Sequence, residues 1–263
     1  PTVCSFGSAT PRECSENHPP ADRPRGRYGR SSNPRMSAPI RFDRIELRTP
    51  DPAAARRFYA QLLAEPVADI VDLPAEAAAR GAPPHWLGHL GVADVEASAR
   101  ALVLRGATRL GPTRPARDGG ESALLREPGG AVIALATASA TPVRDDLVWH
   151  LLNTADLAAS VAAFTALGWH FLPPRDHGPP GLHHPFAWQP AAGAVGAFLS
   201  TAGRPGVHPH WLFHLRIADL DRGLALVRAA GGLALAPQRL PDGARIAVCD
   251  DPQGAAFALY QPA

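Results

Sequence analysis

Cysteine is scarce in this chain. There are three in 263 residues, and only Cys249 lies beyond residue 36. The body of the chain therefore has no internal disulfide, which fits a reducing, cytoplasmic setting. No apolar run approaches the roughly 20 residues a membrane-spanning helix needs, so no membrane role is expected. There is no P-loop, G-x-G-x-x-G, H-E-x-x-H or G-x-S-x-G elbow. That removes the motif signatures of phosphate-cradling, dinucleotide-binding, zincin and α/β-hydrolase sites. Acidic residues are missing from one long stretch: none occurs from His177 to Ala218.

What is present falls into two parts. Residues 1–35 hold six prolines, six arginines and no periodic apolar pattern, and the one methionine is Met36. They are expected to be a disordered N-terminal extension or sequence upstream of the true start. This segment carries the basic excess. The remainder has 20 basic and 21 acidic residues, so nucleic-acid binding gains no support.

The remainder contains one passage twice. PHWLGHLGVADVEASARALVLRGATRLGP (84–112) and PHWLFHLRIADLDRGLALVRAAGGLALAP (209–237) match at 11 of 29 positions with no gap. Upstream, IELRTPDPAAARRFY matches HLLNTADLAASVAAF; downstream, EPGGAVIAL matches DPQGAAFAL. A repeat of this length means two related units. Unit one is read as 36–138, a short linker as 139–146, and unit two as 147–263. Between Asp51 and Pro84 lie 20 fewer residues than between Asp156 and Pro209, so unit one looks truncated.

Both units show one order of elements. A strand leads to a helix opened by Asp51 or Asp156, with Pro52 at the favoured first position in unit one. The PHWLxHL strand leads to a helix opened by Asp94 or Asp219 and stopped near Gly106 or Gly231. Two strands close each unit around a Glu127-Pro-Gly-Gly or Asp251-Pro-Gln-Gly turn. In unit two, 168–172, 184–189 and 195–200 read as three more strands. In unit one, 65–83 has room for a short helix but not for three strands, which predicts a missing hairpin. The fold class is α+β.

The phrases FDRIELRTPDPAAARRFYAQLLAEP, WLGHLGVADVEASARALVLRGA, WHLLNTADLAASVAAFTALGW, WLFHLRIADLDRGLALVRAAGG and DDPQGAAFALYQP resemble the vicinal-oxygen-chelate superfamily. That superfamily includes glyoxalase I, extradiol dioxygenases and bleomycin-resistance proteins, and the narrower likeness is to tandem glyoxalase-like proteins. The resemblance implies paired βαβββ modules curled around a cleft. It also implies a divalent metal in the enzyme members, held by His and Glu on particular strands. Those positions fall here on Arg44, Leu87 and Ala134 in unit one, and on Trp149, Leu212 and Ala258 in unit two. Leucine, alanine and tryptophan side chains offer a divalent ion no donor. No metal and no cofactor are therefore expected; a divalent metal on non-standard ligands is the alternative.

Strand alternation selects the cleft residues. Arg44, Glu46 and Arg48 share one face in unit one, where the cleft is expected to be charged and poorly enclosed. Trp149, Leu151 and Asn153 share the matching face in unit two, where it should be more apolar. His89 and His214 lie on the same side of the PHWLxHL strands, with Arg216 beyond His214. They read either as hydrogen-bonded strand histidines or as ligand contacts. The candidate ligand-binding set is thus Arg44, Glu46, His89, Trp149, Asn153, His214 and Arg216. The expected partner is a small organic molecule, bound mainly in unit two, and a homodimer fits the repeat equally. The alternative is an enzyme of the superfamily, including metal-free acid–base work by Glu46 with His89.

Overall fold

The four longer helices each start where an aspartate caps them. In the computed structural model, which describes residues 39–67, 69–116, 119–139, 144–176 and 181–263, Asp51 accepts from the Ala54 amide at 2.9 Å and Asp94 from Ala97 at 2.8 Å. Asp156 accepts from Ala159 at 3.0 Å and Asp219 from Arg222 at 3.0 Å. All four bonds satisfy an amide that a helix leaves without a partner. Gly106 and Gly231 follow two of these helices at φ +96° and +91°, a left-handed stop that glycine adopts without strain. The extension expected over 1–35 lies outside the described residues, as do 140–143 of the linker.

Unit one runs β1 (Arg41–Thr49), α1 (Pro52–Leu62), β2 (Ile70–Asp72), α2 (Ala75–Ala79), β3 (His85–Val92), α3 (Val95–Val103), β4 (Thr108–Arg109), β5 (Arg114–Pro115), β6 (Glu121–Arg126) and β7 (Val132–Thr137). Its seven strands form one sheet in the order β2-β1-β3-β7-β6-β4, with β5 also on β6. Unit two runs β8 (Leu147–Thr154), α4 (Leu157–Ala166), β9 (His170–Phe171), β10 (Arg175–Asp176), β11 (Leu182–Ala187), β12 (Gly196–Ser200), β13 (His210–Arg216), α5 (Leu220–Ala229), β14 (Leu233–Ala234), β15 (Gln238–Arg239), β16 (Arg245–Asp250) and β17 (Ala256–Gln261). Its ten strands are ordered β10-β11-β12-β8-β13-β17-β16-β14, with β9 on β11 and β15 on β16.

The two orders superimpose. β2 runs parallel to β1 as β12 runs parallel to β8, and β3 pairs with β7 as β13 pairs with β17. Unit one has kept the counterpart of β12. It has no counterpart of β9, β10 and β11 among the described residues, since α1 leads to β2 without an intervening strand there; the short helix α2 follows β2, in the segment before β3.

The helix-bearing faces of the two sheets turn toward each other, since α1 packs on α5 and α3 on α4. One hydrophobic core runs between them, including Phe42, Trp86, Phe164, Trp169, Trp211 and Phe213. Two buried acids cross-link the units reciprocally. Glu127, in the turn of unit one, accepts from the amides of Gly129 and Ala131 and from Ser160 Oγ of α4 at 2.6 Å. Asp251, in the turn of unit two, accepts from the amides of Gln253 and Ala255 and from Tyr59 Oη of α1 at 3.1 Å. The repeated turn therefore serves as a buried acceptor that the other unit's first helix satisfies.

Candidate functional site

With the helix faces occupied by the core, each sheet has one further face, here called inner. The registers place equivalent residues on it. In unit one Arg44 lies opposite His89, Glu46 opposite Leu87, and Arg48 opposite His85. In unit two Trp149 lies opposite His214, Leu151 opposite Leu212, and Asn153 opposite His210. His89 and His214 then pair onward with Ala134 and Ala258.

Unit one's inner face is an internally paired charge cluster. Arg44 Nη2 lies 3.0 Å from His89 Nδ1, and a guanidinium can only donate, so Nδ1 is the acceptor. The ring hydrogen is then on Nε2, which faces Glu46 Oε2 at 3.9 Å. Arg48 Nε donates to Glu46 Oε1 at 2.8 Å. Burial alone would raise the Glu46 carboxyl, but the Arg48 bond and charge, with His89 and Arg44 behind them, outweigh it and hold it below its ordinary value. The expectation of a poorly enclosed cleft is corrected here: Glu46 is 7% exposed and His89 3%. Pairing of Glu46 with Arg48 along β1, and the cross-strand contacts of His89 with Arg44 and Glu46, let the group be buried.

Unit two's inner face is apolar through its middle. Leu151, Ala197, Leu199, Leu212 and Ala258 form a second hydrophobic cluster, separate from the core, with Trp149 packed against it. Polar groups stand at the two ends. At one end Arg204 Nη1 donates to Asn153 Oδ1 at 2.8 Å and to the Ser200 carbonyl at 3.3 Å. Asn153 Nδ2 donates in turn toward His210 Nε2 at 3.4 Å, and His210 Nδ1 donates to the His208 carbonyl at 2.8 Å. At the other end His214 is 5% exposed, and its buried Nδ1 has no hydrogen-bond partner among the described residues. Burial, then the nearby His150, pushes the His214 ring down to about 4, so it is neutral near pH 7.

The candidate residues thus separate into groups. Arg44, Glu46 and His89 come together in unit one. Trp149, Asn153 and His214 share the inner face of unit two. Arg216 is placed apart from these: a register shift between His214 and Leu215 turns the strand, and the exposed guanidinium donates to the Asp145 carbonyl at 2.8 Å. Sequence reasoning missed Arg204, which sits in the loop after β12. A signal was available, because Arg204 falls inside the acid-free stretch 177–218, where an arginine has no local carboxylate. Cys249 is buried, and its thiol is pushed up to about 12 by that burial, which suits packing rather than nucleophilic attack. A cavity of about 240 Å³ lies elsewhere, between α1 and α5, lined in part by Phe58, Leu226, Pro252 and Gln253.

The superfamily's metal can be tested against the side chains present. Arg44, Leu87 and Ala134 in unit one, and Trp149, Leu212 and Ala258 in unit two, stand at the positions where the resemblance implies metal ligands. None of these is a carboxylate, an imidazole or a thiolate. Among the described residues no three His, Cys, Asp or Glu side chains converge as a metal-binding group. The donor set does not fit a divalent ion.

This architecture has the fold seen in a glyoxalase and in extradiol dioxygenases of known structure. The chain is similar to a protein provisionally named glyoxylase CFP32 from Mycobacterium bovis and Mycobacterium tuberculosis, with 29% identity over 258 residues, covering 83% of this chain and 94% of the relative. Among solved structures, the Mn(II)-bound glyoxalase from Novosphingobium aromaticivorans aligns with a TM-score of 0.57 at 14% identity, over 85% of this chain and 81% of that one. Homoprotocatechuate 2,3-dioxygenase from Arthrobacter globiformis aligns with a TM-score of 0.58 at 14% identity, over 85% and 80%. No protein-family model matches the sequence. No helix among the described residues is long and apolar enough to cross a membrane.

Proposed function

We propose that this chain is a cytoplasmic glyoxalase-like protein that binds a small organic molecule without a metal, on the inner face of unit two. One observation carries the reading: that face combines an apolar middle with polar groups at its two ends, the usual composition of a small-molecule site. Unit one supports the assignment by contrast, because its inner-face charges are engaged with one another. Cys249, the one cysteine among the described residues, is buried and free, which supports a reducing compartment. Calorimetric screening of apolar acids and neutral aromatics in EDTA tests the reading. Hits are expected to survive EDTA, to weaken at least tenfold in Trp149→Ala, and to be unchanged in Arg44→Ala. Binding that disappears in EDTA, or that follows Arg44 instead of Trp149, contradicts it.

A second reading draws on the 3.9 Å approach of His89 Nε2 to Glu46 Oε2. In it the pair exchanges a proton with a substrate of unit one. Turnover abolished by Glu46→Gln with folding intact would favour that reading. The two arginines that already engage the pair weigh against it.

A further inference from the structure

Arg204 is a cation among neutral partners. Its hydrogen bonds go from Nη1 to an amide oxygen and a carbonyl, and no carboxylate bonds to it or pairs with it among the described residues. Burial lowers its pKa without any acidic neighbour to restore it. Its surroundings are built to hold it: Asn153 is 2% exposed and places its Oδ1 toward the guanidinium. The amide orientation is fixed from behind, because His210 donates through Nδ1 and leaves Nε2 to receive the Asn153 amide hydrogen. Nη2 and Nε of Arg204 make no hydrogen bond among the described residues, and two adjacent N–H groups of a guanidinium match the two oxygens of a carboxylate.

A second feature points at a ligand from the other end of the same strand pair. His214 stands four residues from His210 on β13, roughly 13 Å along an extended strand, and its buried Nδ1 lacks a partner. A buried nitrogen left without a hydrogen bond is destabilising, and a bound polar group would supply the missing partner. Leu151, Leu199 and Leu212 lie on the face between the two ends.

We infer that unit two takes an organic anion, an elongated apolar molecule whose carboxylate pairs with Arg204 and whose body runs along the leucine face toward His214. This rests on the proposed binding role of that face and names its ligand class.

The matched probes 4-phenylbutanoate and 4-phenylbutanamide separate the charge from the apolar body. Calorimetry on the full chain should show the acid binding at least tenfold tighter than the amide. Arg204→Gln should erase that preference while leaving amide affinity within twofold, Arg204→Lys should restore part of it, and Trp149→Ala should weaken both probes. Circular dichroism and urea midpoints confirm that each variant is folded. Equal affinity for acid and amide in the unaltered protein, or an acid preference that survives Arg204→Gln, overturns the anion assignment and leaves small-molecule binding standing. If neither probe binds at millimolar concentration, both the anion assignment and the binding reading fail.

Discussion

The inner faces of the two units share a backbone register and both pairs of strand histidines, yet their chemistry has diverged. Arg44, Glu46 and Arg48 in unit one correspond to Trp149, Leu151 and Asn153 in unit two. In unit one the buried charges use one another: Arg44 engages His89, and Glu46 lies between His89 and Arg48. An ion cluster satisfied internally has little left to offer a ligand, and removing one member leaves its partner buried and uncompensated. In unit two the polar ends are incompletely used, with a guanidinium that no carboxylate pairs and a His214 Nδ1 without a hydrogen-bond partner among the described residues. One scaffold thus gives a face whose charges pair with one another and a face that is apolar in its middle and polar at its ends.

A second divergence lies on the helix side. The repeats PHWLGHL and PHWLFHL differ at Gly88 and Phe213, and the structure places these two against each other. A Cβ on Gly88 would sit 2.3 Å from Phe42 Cε1 and 2.8 Å from Phe213 Cζ. The phenyl ring of one copy fills the space that glycine leaves in the other. The turns diverge in the same way: at Gly129 a Cβ would collide with Thr154 Oγ1, whereas its counterpart Gln253 accepts from the corresponding Thr49 Oγ1 at 2.5 Å. The small residue of unit one admits the larger group of unit two, so these differences are fits between copies.

Making the copies alike should break that fit. Gly88→Phe is expected to destabilise by at least about 3 kcal/mol, since overpacking usually costs 1–3 and here two rings already fill the site. Loss of a cooperative urea transition would confirm it, and a transition near that of the unaltered protein would refute it. The next effect is pH-dependent. Burial depresses both His150 and His214 to about 4, against an ordinary 6.5. Folding therefore favours the neutral rings, and their contribution, on the order of 3 kcal/mol each, is fully present above pH 6.5 and lost as pH falls toward 4. Urea midpoints should drop steeply between pH 6.5 and 4.5, with the slope shallower in His150→Phe; a flat profile would show that the rings are not sequestered.

Two smaller substitutions sharpen the contrast. Glu46→Gln removes the one carboxylate facing Arg48 and His89, and should cost about 1–3 kcal/mol. The fold raises no such need in unit two, where Leu151 occupies the matching place. Ser160→Ala deprives the buried Glu127 of a bond from the other unit, and Tyr59→Phe does the same to Asp251. Each should cost about 1 kcal/mol in urea unfolding, and similar values would show that the cross-links are reciprocal. A null result at both would show that the turns hold without the helices.

The repeat, the four aspartate caps, the glycine stops and the missing strands of unit one were all legible, because each rests on local pattern and spacing. The residue at each position where the resemblance implies a metal ligand was legible for the same reason, and what it means for metal binding stands as a proposal. What escaped depended on contacts across strands. Alternation placed Arg44, Glu46 and His89 on one face, but only the register shows Arg44 opposite His89 and the charges closed in on themselves. Arg216 seemed to continue the inner face until the shift after His214 turned it outward. Arg204 lies in a loop with no periodicity to place it, and its meaning comes from what it lacks within reach.

We propose that the fold binds no divalent ion at the positions matched to the superfamily's ligands. The most direct test is elemental analysis of protein grown in medium supplemented with manganese, iron and zinc, then dialysed without chelator. The account predicts well under 0.1 equivalent of any divalent ion per chain, on the ground that leucine, alanine and tryptophan offer no ligands. One equivalent per chain that survives dialysis would contradict it.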